Sequence, residues 1–316
     1  MQFWYRPNTG WQAILLSPLS ALMAWVVRRR QARRHRGDYG APVLVVGNLA
    51  VGGTGKSPAI QALVRHLQST GLRCGIVSRG YGGNAPQYPW TVSSTDDARC
   101  CGDEPLLLAR SLGCPVVVDP DRDRAVRHLM AQHQPDVVIS DDGLQHYRLG
   151  RSFELVMIDG RRGLGNGRLL PAGPLREPVT RLQQVDWVIA RERAPAGLNV
   201  DGVLTLNPQP PTNNAGQILQ AGIEIDACAG IGNPDAFFAQ LSDQGFHIVR
   251  RWTPGDHRSL PAEALSTPQR PLLITEKDAV KLPQPLPAHC YIVRLQPTLP
   301  AELLSRIELA LRTSVQ

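Results

Sequence analysis

Short apolar runs and longer stretches with helical spacing alternate along the chain. The run Leu44-Val45-Val46-Gly47 ends in a glycine-rich segment, and apolar positions at 60, 63, 64 and 67 then follow the period of a helix. Further runs of strand length lie at 74–78, 115–119, 136–143, 154–159 and 185–190. A helical pattern falls at 106–112 and a basic one carries Arg122, Arg124 and Arg127. Strands separated by segments of this length predict an α/β fold with a doubly wound parallel sheet. From about 191 to 216 the composition shifts to Pro, Asn, Gly and Gln, the signature of a linker. The α/β pattern then restarts, with strands at 227–232, 247–252 and 272–275 and a helix at 234–244. This divides the chain into an N-terminal segment (1–36), a larger sheet domain (37–205) and a smaller α/β domain (206–316).

The N-terminal segment stands apart from both. Residues 11–27 are largely apolar, and Arg28, Arg29, Arg30, Arg33, Arg34 and Arg36 follow them. A signal peptide would carry its positive charge ahead of the apolar core. A spanning helix needs about 20 apolar residues, and this stretch is shorter and interrupted by Gln12, Ser17, Pro18 and Ser20. An interfacial helix fits better, with Trp4, Trp11 and Trp25 at headgroup depth and arginines on phosphates. The competing picture is a helix that covers the core and trails a basic tail in solvent.

The 316 residues can bury a substantial core and are long for a single domain. A formal charge of +7 calls for an anionic partner. No basic stretch interleaved with aromatics supports nucleic acid. The six cysteines show no CxxC pair and no zinc-like spacing, so they are expected to be reduced thiols in a cytosolic compartment. No obligate protein partner is evident.

The candidate chemistry gathers at strand ends. Ala50-Val51-Gly52-Gly53-Thr54-Gly55-Lys56-Ser57, between a strand and a helix, has the layout of a P-loop. Small residues turn backbone N–H groups onto phosphates, Lys56 adds a mobile positive charge, and the Ser57 hydroxyl is a ligand for Mg²⁺. Ala50 stands where the common pattern has glycine. The chain is therefore expected to bind a nucleoside triphosphate. Asp141 and Asp142 close an apolar run and suit either a magnesium site or a helix cap. Gln145 and His146 follow as polar groups for a substrate. Asp103 fits a general base or a helix cap equally well, and Asp256-His257 forms a carboxylate–imidazole pair in a turn. Residues 160–177, rich in Gly, Pro and Arg, make a loop long enough to be functional. In 275–281 Lys277 and Asp278 are adjacent, which argues against the guanine-reading motif of GTPases.

Taken in order, VGNLAVGGTGKSP, VSRGYGG, GDEPLLLA, SDDGLQHYRL, IDGRRGLGNGRLLPAGPLRE, AGIGNPDAFF, DHRSL and TEKDAVK resemble the tetraacyldisaccharide 4'-kinase family of the lipid A pathway. The resemblance implies a P-loop NTPase-type sheet and transfer of the ATP γ-phosphate to the 4'-hydroxyl of a tetraacylated glucosamine disaccharide 1-phosphate. It also implies a peripheral location at the cytoplasmic face of the bacterial inner membrane. On the same ground Asp103 would be the base, paired with His257, with Asp141 and Asp142 serving magnesium and catalysis. Lys56 and Ser57 would hold the triphosphate, and Arg122, Gln145 and His146 the sugar and phosphate of the substrate. Many members of the family carry a second histidine where this chain has Arg258. The rival readings are a membrane-recruited P-loop switch and a soluble small-molecule ligase or kinase.

Overall fold

The computed structural model describes residues 2–6, 10–32, 37–256, 258–266 and 269–314. His257 lies outside the described residues, as do Arg33, Arg34 and Arg36 of the basic flank. The strands in chain order are β1 (Val43–Gly47), β2 (Cys74–Ser78), β3 (Trp90–Thr91), β4 (Val116–Val118), β5 (Val137–Asp141), β6 (Phe153–Asp159) and β7 (Trp187–Arg191). Then come β8 (Gly202–Pro208), β9 (Glu224–Cys228), β10 (His247–Trp252), β11 (Leu272–Thr275), β12 (Cys290–Val293) and β13 (Leu295–Thr298). The helices are α1 (Trp11–Leu15), α2 (Ser17–Gln31), α3 (Lys56–Ser69), α4 (Ala98–Cys101) and α5 (Asp103–Leu112). They continue with α6 (Arg122–His133), α7 (Pro234–Asp243), α8 (Ala262–Ser266), α9 (Glu276–Ala279) and α10 (Ala301–Thr313).

The larger sheet runs β13-β8-β7-β6-β1-β5-β2-β4-β3, parallel except at its two antiparallel edges, β13 on β8 and β3 on β4. Alternate residues of each strand serve opposite faces, because successive side chains of a strand point to opposite sides. Leu44 and Val46 face α3, α5 and α10 through Ile60, Leu63, Leu106 and Ile307. Val43 and Val45 face α6 through Ala125, Val126 and Leu129. Both faces are covered, so the strands show continuous apolar runs rather than alternation. The second sheet, β10-β9-β11-β12, is all parallel.

The domain boundary differs from the sequence expectation. Residues 202–208, within the expected linker, form β8 on the larger sheet. At the other end β13 pairs with β8, and α10 buries Leu303, Ile307 and Leu311 in the core beside α3. The helical spacing of those three apolar residues supplies the face that draws the C-terminus back. We propose that the smaller unit comprises about residues 209–294 and is inserted in the larger one.

The N-terminal helices meet the body chiefly through polar bonds to the 160–177 loop. Ser20 Oγ donates to the Leu169 carbonyl (2.8 Å) and accepts from the Ala172 amide (3.1 Å), and Arg168 donates to Ser17 Oγ (2.9 Å). Trp4 Nε1 donates to the Pro171 carbonyl. Ala13 and Val27 are buried, while Trp11, Ile14, Leu15, Leu19, Leu22 and Trp25 lie more than half exposed along the outer side. Leu16, in helical conformation, joins α1 to α2 almost without a break, so the segment is one nearly continuous docked helix with an apolar stripe turned outward. No helix among the described residues is long and apolar enough to cross a membrane.

Candidate active site

β1 sits between β5 and β6, so the loops leaving the carboxyl ends of β1 and β5 open side by side, where open α/β sheets hold ligands. After β1, Asn48 Nδ2 donates to the carbonyls of Ala50 (2.7 Å) and Gly52 (3.3 Å) and shapes the loop. The Val51 amide donates to the Pro174 carbonyl (2.9 Å) and the Arg176 amide to that of Leu49 (2.6 Å). Ala50 is buried and bridged to Leu175, a contact that its single methyl allows. Gly55 then turns the chain in the left-handed region (φ 87°), and α3 starts at Lys56 without a side-chain cap. Its first N–H groups are thus open to an anion, with the helix dipole in favour. Thr54 Oγ1 is buried and has no hydrogen-bond partner.

Across the crevice, Val46 stands in register with Asp141. Asp142 follows with φ 50°, unusual for a residue other than glycine. Its Oδ1 lies 3.5 Å from Lys56 Nζ and its Oδ2 3.4 Å from Arg176 Nη1. Burial opposes its ionisation, but Lys56 and Arg176 more than offset this and hold its pKa below the ordinary carboxylate range. Asp141 is pushed the other way, up to about 7, by burial and then by Glu104, with Lys56 opposing. Ser78 Oγ donates to Asp141 Oδ2 (3.0 Å), while Asp141 Oδ1 is buried without a hydrogen-bond partner. No helix starts at either residue, so the pair is not a helix cap, and environments that push two neighbouring acids' pKa values apart are what acid–base and cation sites use.

These groups fit a magnesium nucleotide. The vacant Asp141 oxygen and the cost of ionising it call for a cation. No group of three or more His, Cys, Asp or Glu side chains among the described residues forms a complete metal cage. Mg²⁺ suits that arrangement, since it takes one or two carboxylates and completes its shell with water and phosphate oxygens.

The loops around the pair supply further groups. Gln145 Nε2 donates to the Asn48 carbonyl (3.0 Å) and to Glu177 Oε1 (2.8 Å), while its Oε1 accepts from Arg176 Nη1 (3.3 Å). Gln145 therefore braces the P-loop against Arg176. Arg122, at the start of α6, is buried; burial lowers its pKa, and the charges of Asp141 and Asp142 act against that shift. Burial, then Arg122, lowers the pKa of His146, whose Nε2 is 3.9 Å from Asp121 Oδ1. A neutral imidazole at His146 can accept a hydrogen bond from a hydroxyl group.

Asp103 opens α5 and is buried. Gly102, not Asp103, holds the N-cap position, with φ 91°. Glu104, the next residue, is close enough to Asp141 to raise its pKa, which places the start of α5 beside the crevice. A Cβ on Gly102 would lie 2.6 Å from the Tyr81 carbonyl oxygen. Gly102→Ala is thus expected to destabilise the fold by about 1–3 kcal/mol, since backbone strain and a backbone clash add. A melting temperature within a degree of the parent would contradict this.

Direct contacts link Lys56 to Asp142, Asp142 to Arg176 and Arg176 to Gln145; Arg122 feels the charges of Asp141 and Asp142, His146 feels that of Arg122, and Ser57 follows Lys56 in the first turn of α3. Position 257 lies outside the described residues, so no distance relates His257 to Asp103. Sequence reasoning missed Arg176, Glu177, Asn48 and Glu104. The long 160–177 loop was the available signal for Arg176 and Glu177, because it ends in a charged pair after an apolar stretch. Asn48 gave none, for its role is to fold the loop.

The family model for tetraacyldisaccharide-1-P 4'-kinase (LpxK) matches residues 12–312. The tetraacyldisaccharide 4'-kinase of Alcanivorax borkumensis is 45% identical over 97% of this chain and 95% of its own length. That of Alkalilimnicola ehrlichii is 46% identical over 93% and 91%. The crystal structure of LpxK from Aquifex aeolicus in complex with ATP superposes with a TM-score of 0.77 over 96% of this chain and 99% of that one, at 24% identity, which speaks to the fold. The P-loop, the acid pair and the sequence match across almost the whole chain lead to one assignment: the protein belongs to the tetraacyldisaccharide-1-P 4'-kinase family.

Proposed function

We propose that the protein transfers the γ-phosphate of ATP to the 4'-hydroxyl of a tetraacyldisaccharide 1-phosphate, the acceptor named for its relatives. The observation that carries this is the meeting of Lys56 with Asp142 at the uncapped start of α3. Backbone amides of 52–57 and Lys56 bind the triphosphate. Ser57, Asp141 and Asp142 would hold Mg²⁺, which when bound would offset the charge of the phosphates. Asp103 takes the proton of the 4'-hydroxyl as its oxygen bonds to the γ-phosphorus; the bond from that phosphorus to the bridging oxygen breaks, and ADP leaves. His257 assists Asp103, a role that rests on the family resemblance. Arg176, between Gln145 and Asp142, faces the charge that spreads over the transferring group. Arg122, Gln145 and His146 orient the acceptor. Phosphoryl transfer is mostly positioning and charge stabilisation, so this set is sufficient.

The acceptor's acyl chains explain the outward apolar stripe of α1 and α2. We assign that stripe to the membrane surface, where the chains stay in the bilayer and the headgroup enters the crevice. Each large side chain buried there is worth about 1.5–3 kcal/mol. Leu22→Glu combined with Trp25→Glu should therefore weaken vesicle partitioning at least ~10-fold, leaving ATP affinity as it was. Unchanged co-sedimentation with anionic vesicles would refute the assignment.

Radiolabel from γ-labelled ATP, followed in detergent micelles with the glycolipid acceptor, tests the whole reading. Label on the lipid is expected. Phosphate release at the same rate with or without acceptor would overturn it in favour of a nucleotide switch.

A further inference from the structure

We propose that Lys277 is a positioning residue that clamps the turn ending at Asp256 onto the first turn of α5. Its Nζ lies 3.0 Å from Asp256 Oδ1 and 3.7 Å from Glu104 Oε1, so one ammonium spans the smaller unit and the larger. Glu104 follows Asp103 in the chain and Asp256 precedes His257, so the bridge ties together the immediate neighbours of both residues. The inference rests on the reading above, in which Asp103 serves the transfer.

The ground under Lys277 is firm. Asp278, fully buried, accepts from Thr275 Oγ1 (2.7 Å), from the Gly230 amide (3.0 Å) and from Lys281 Nζ (2.9 Å). Lys281 in turn donates to the carbonyls of Gly230 (3.2 Å) and Arg258 (3.3 Å). The segment 275–281 thus holds Arg258 through Lys281 and Asp256 through Lys277. Arg110 of α5 reaches across to the Val280 carbonyl (3.4 Å), and α5 packs on α9. This gives a purpose to the adjacent Lys-Asp that sequence analysis set aside as a base reader: Asp278 braces the loops and Lys277 grips the other unit.

Energetics separate this role from plain stability. Both carboxylates facing Lys277 are about two-fifths exposed. Such pairs contribute about 0–1 kcal/mol to folding. A displacement of about 1 Å at a reacting centre, by contrast, costs ~10²-fold in rate. Losing the clamp should therefore cost turnover and not stability.

The test compares the full-length protein with Lys277→Met and Lys277→Arg. For Lys277→Met, kcat with the glycolipid acceptor is expected to fall ~10-fold or more, with KM for ATP within twofold and the melting temperature within 2 °C. Lys277→Arg, which keeps a cation of similar reach, should recover most of the loss. The amides of Thr253, Gly255 and Asp256 should exchange hydrogen faster in Lys277→Met alone. Wild-type kcat in Lys277→Met, or an equal deficit in Lys277→Arg, would overturn the proposal. So would a fall in melting temperature of several degrees with kcat and KM moving together. If the unmodified protein transfers no label to lipid, the functional reading fails by itself, and the exchange rates still decide whether the clamp exists.

Discussion

Lys56→Ala is expected to lower kcat/KM for ATP by ~10³-fold, the scale of losing a charge-stabilising donor aimed at a transition state. Two losses combine in that figure. The first is the ammonium itself, which would sit on the phosphates at the start of α3. The second is its effect on the acid pair. Lys56 is the chief favourable charge on Asp142 and opposes the rise at Asp141. Without it both carboxylates bind protons more readily, and the site offers a cation less negative charge. The loss should therefore deepen as pH falls from 8 to 6, a trend that a lysine acting on phosphate alone would not give. Steady-state kinetics across that range, with saturating acceptor, checks both points. Activity within tenfold of the parent would remove Lys56 from the mechanism. Asp142→Asn made in the same background should add less than it does alone, because residues in one charge network couple.

Much of this arrangement was legible because it follows from local chemistry. A strand, a small-residue loop and Lys-Ser before a helical pattern constrain one another, and the structure has the strand at Val43–Gly47 and the helix from Lys56 to Ser69. The position of the acid pair was legible for the same reason: an apolar run of strand length ends at Asp141, which closes β5. What escaped was long-range. Residues 202–208 are half polar and follow a Pro- and Gly-rich stretch, and only pairing with β7 and β13 makes them a strand. The return of 295–313 to the larger sheet leaves no local mark, since an amphipathic helix does not say which core will receive it. Arg176 belongs to the same class. Its place beside Asp142 depends on the backbone bonds between residues 49–51 and 174–176. Those bonds join segments far apart in sequence, and no spacing rule reaches that far.

Asp103→Asn should cut kcat by ~10²–10⁴-fold with ATP affinity unchanged, the range for removing a general base. The substitution keeps size and shape and discards only the ability to take a proton. Its structural side effects are small for a reason visible in the fold. Gly102 holds the N-cap of α5, so Asp103 is not the cap that sequence alone allowed. Its place in the first turn of α5 also gives it a favourable interaction with the helix dipole, worth about 0.3–1 kcal/mol. ATP binding is spared because Asp103 belongs to α5, while the amides that would meet the triphosphate belong to 52–57. Nucleotide affinity by calorimetry, alongside single-turnover transfer to the glycolipid, separates the two effects. A variant that loses ATP binding and turnover together would place Asp103 in the nucleotide shell. A variant with unchanged single-turnover rate would pass the role of base to another group.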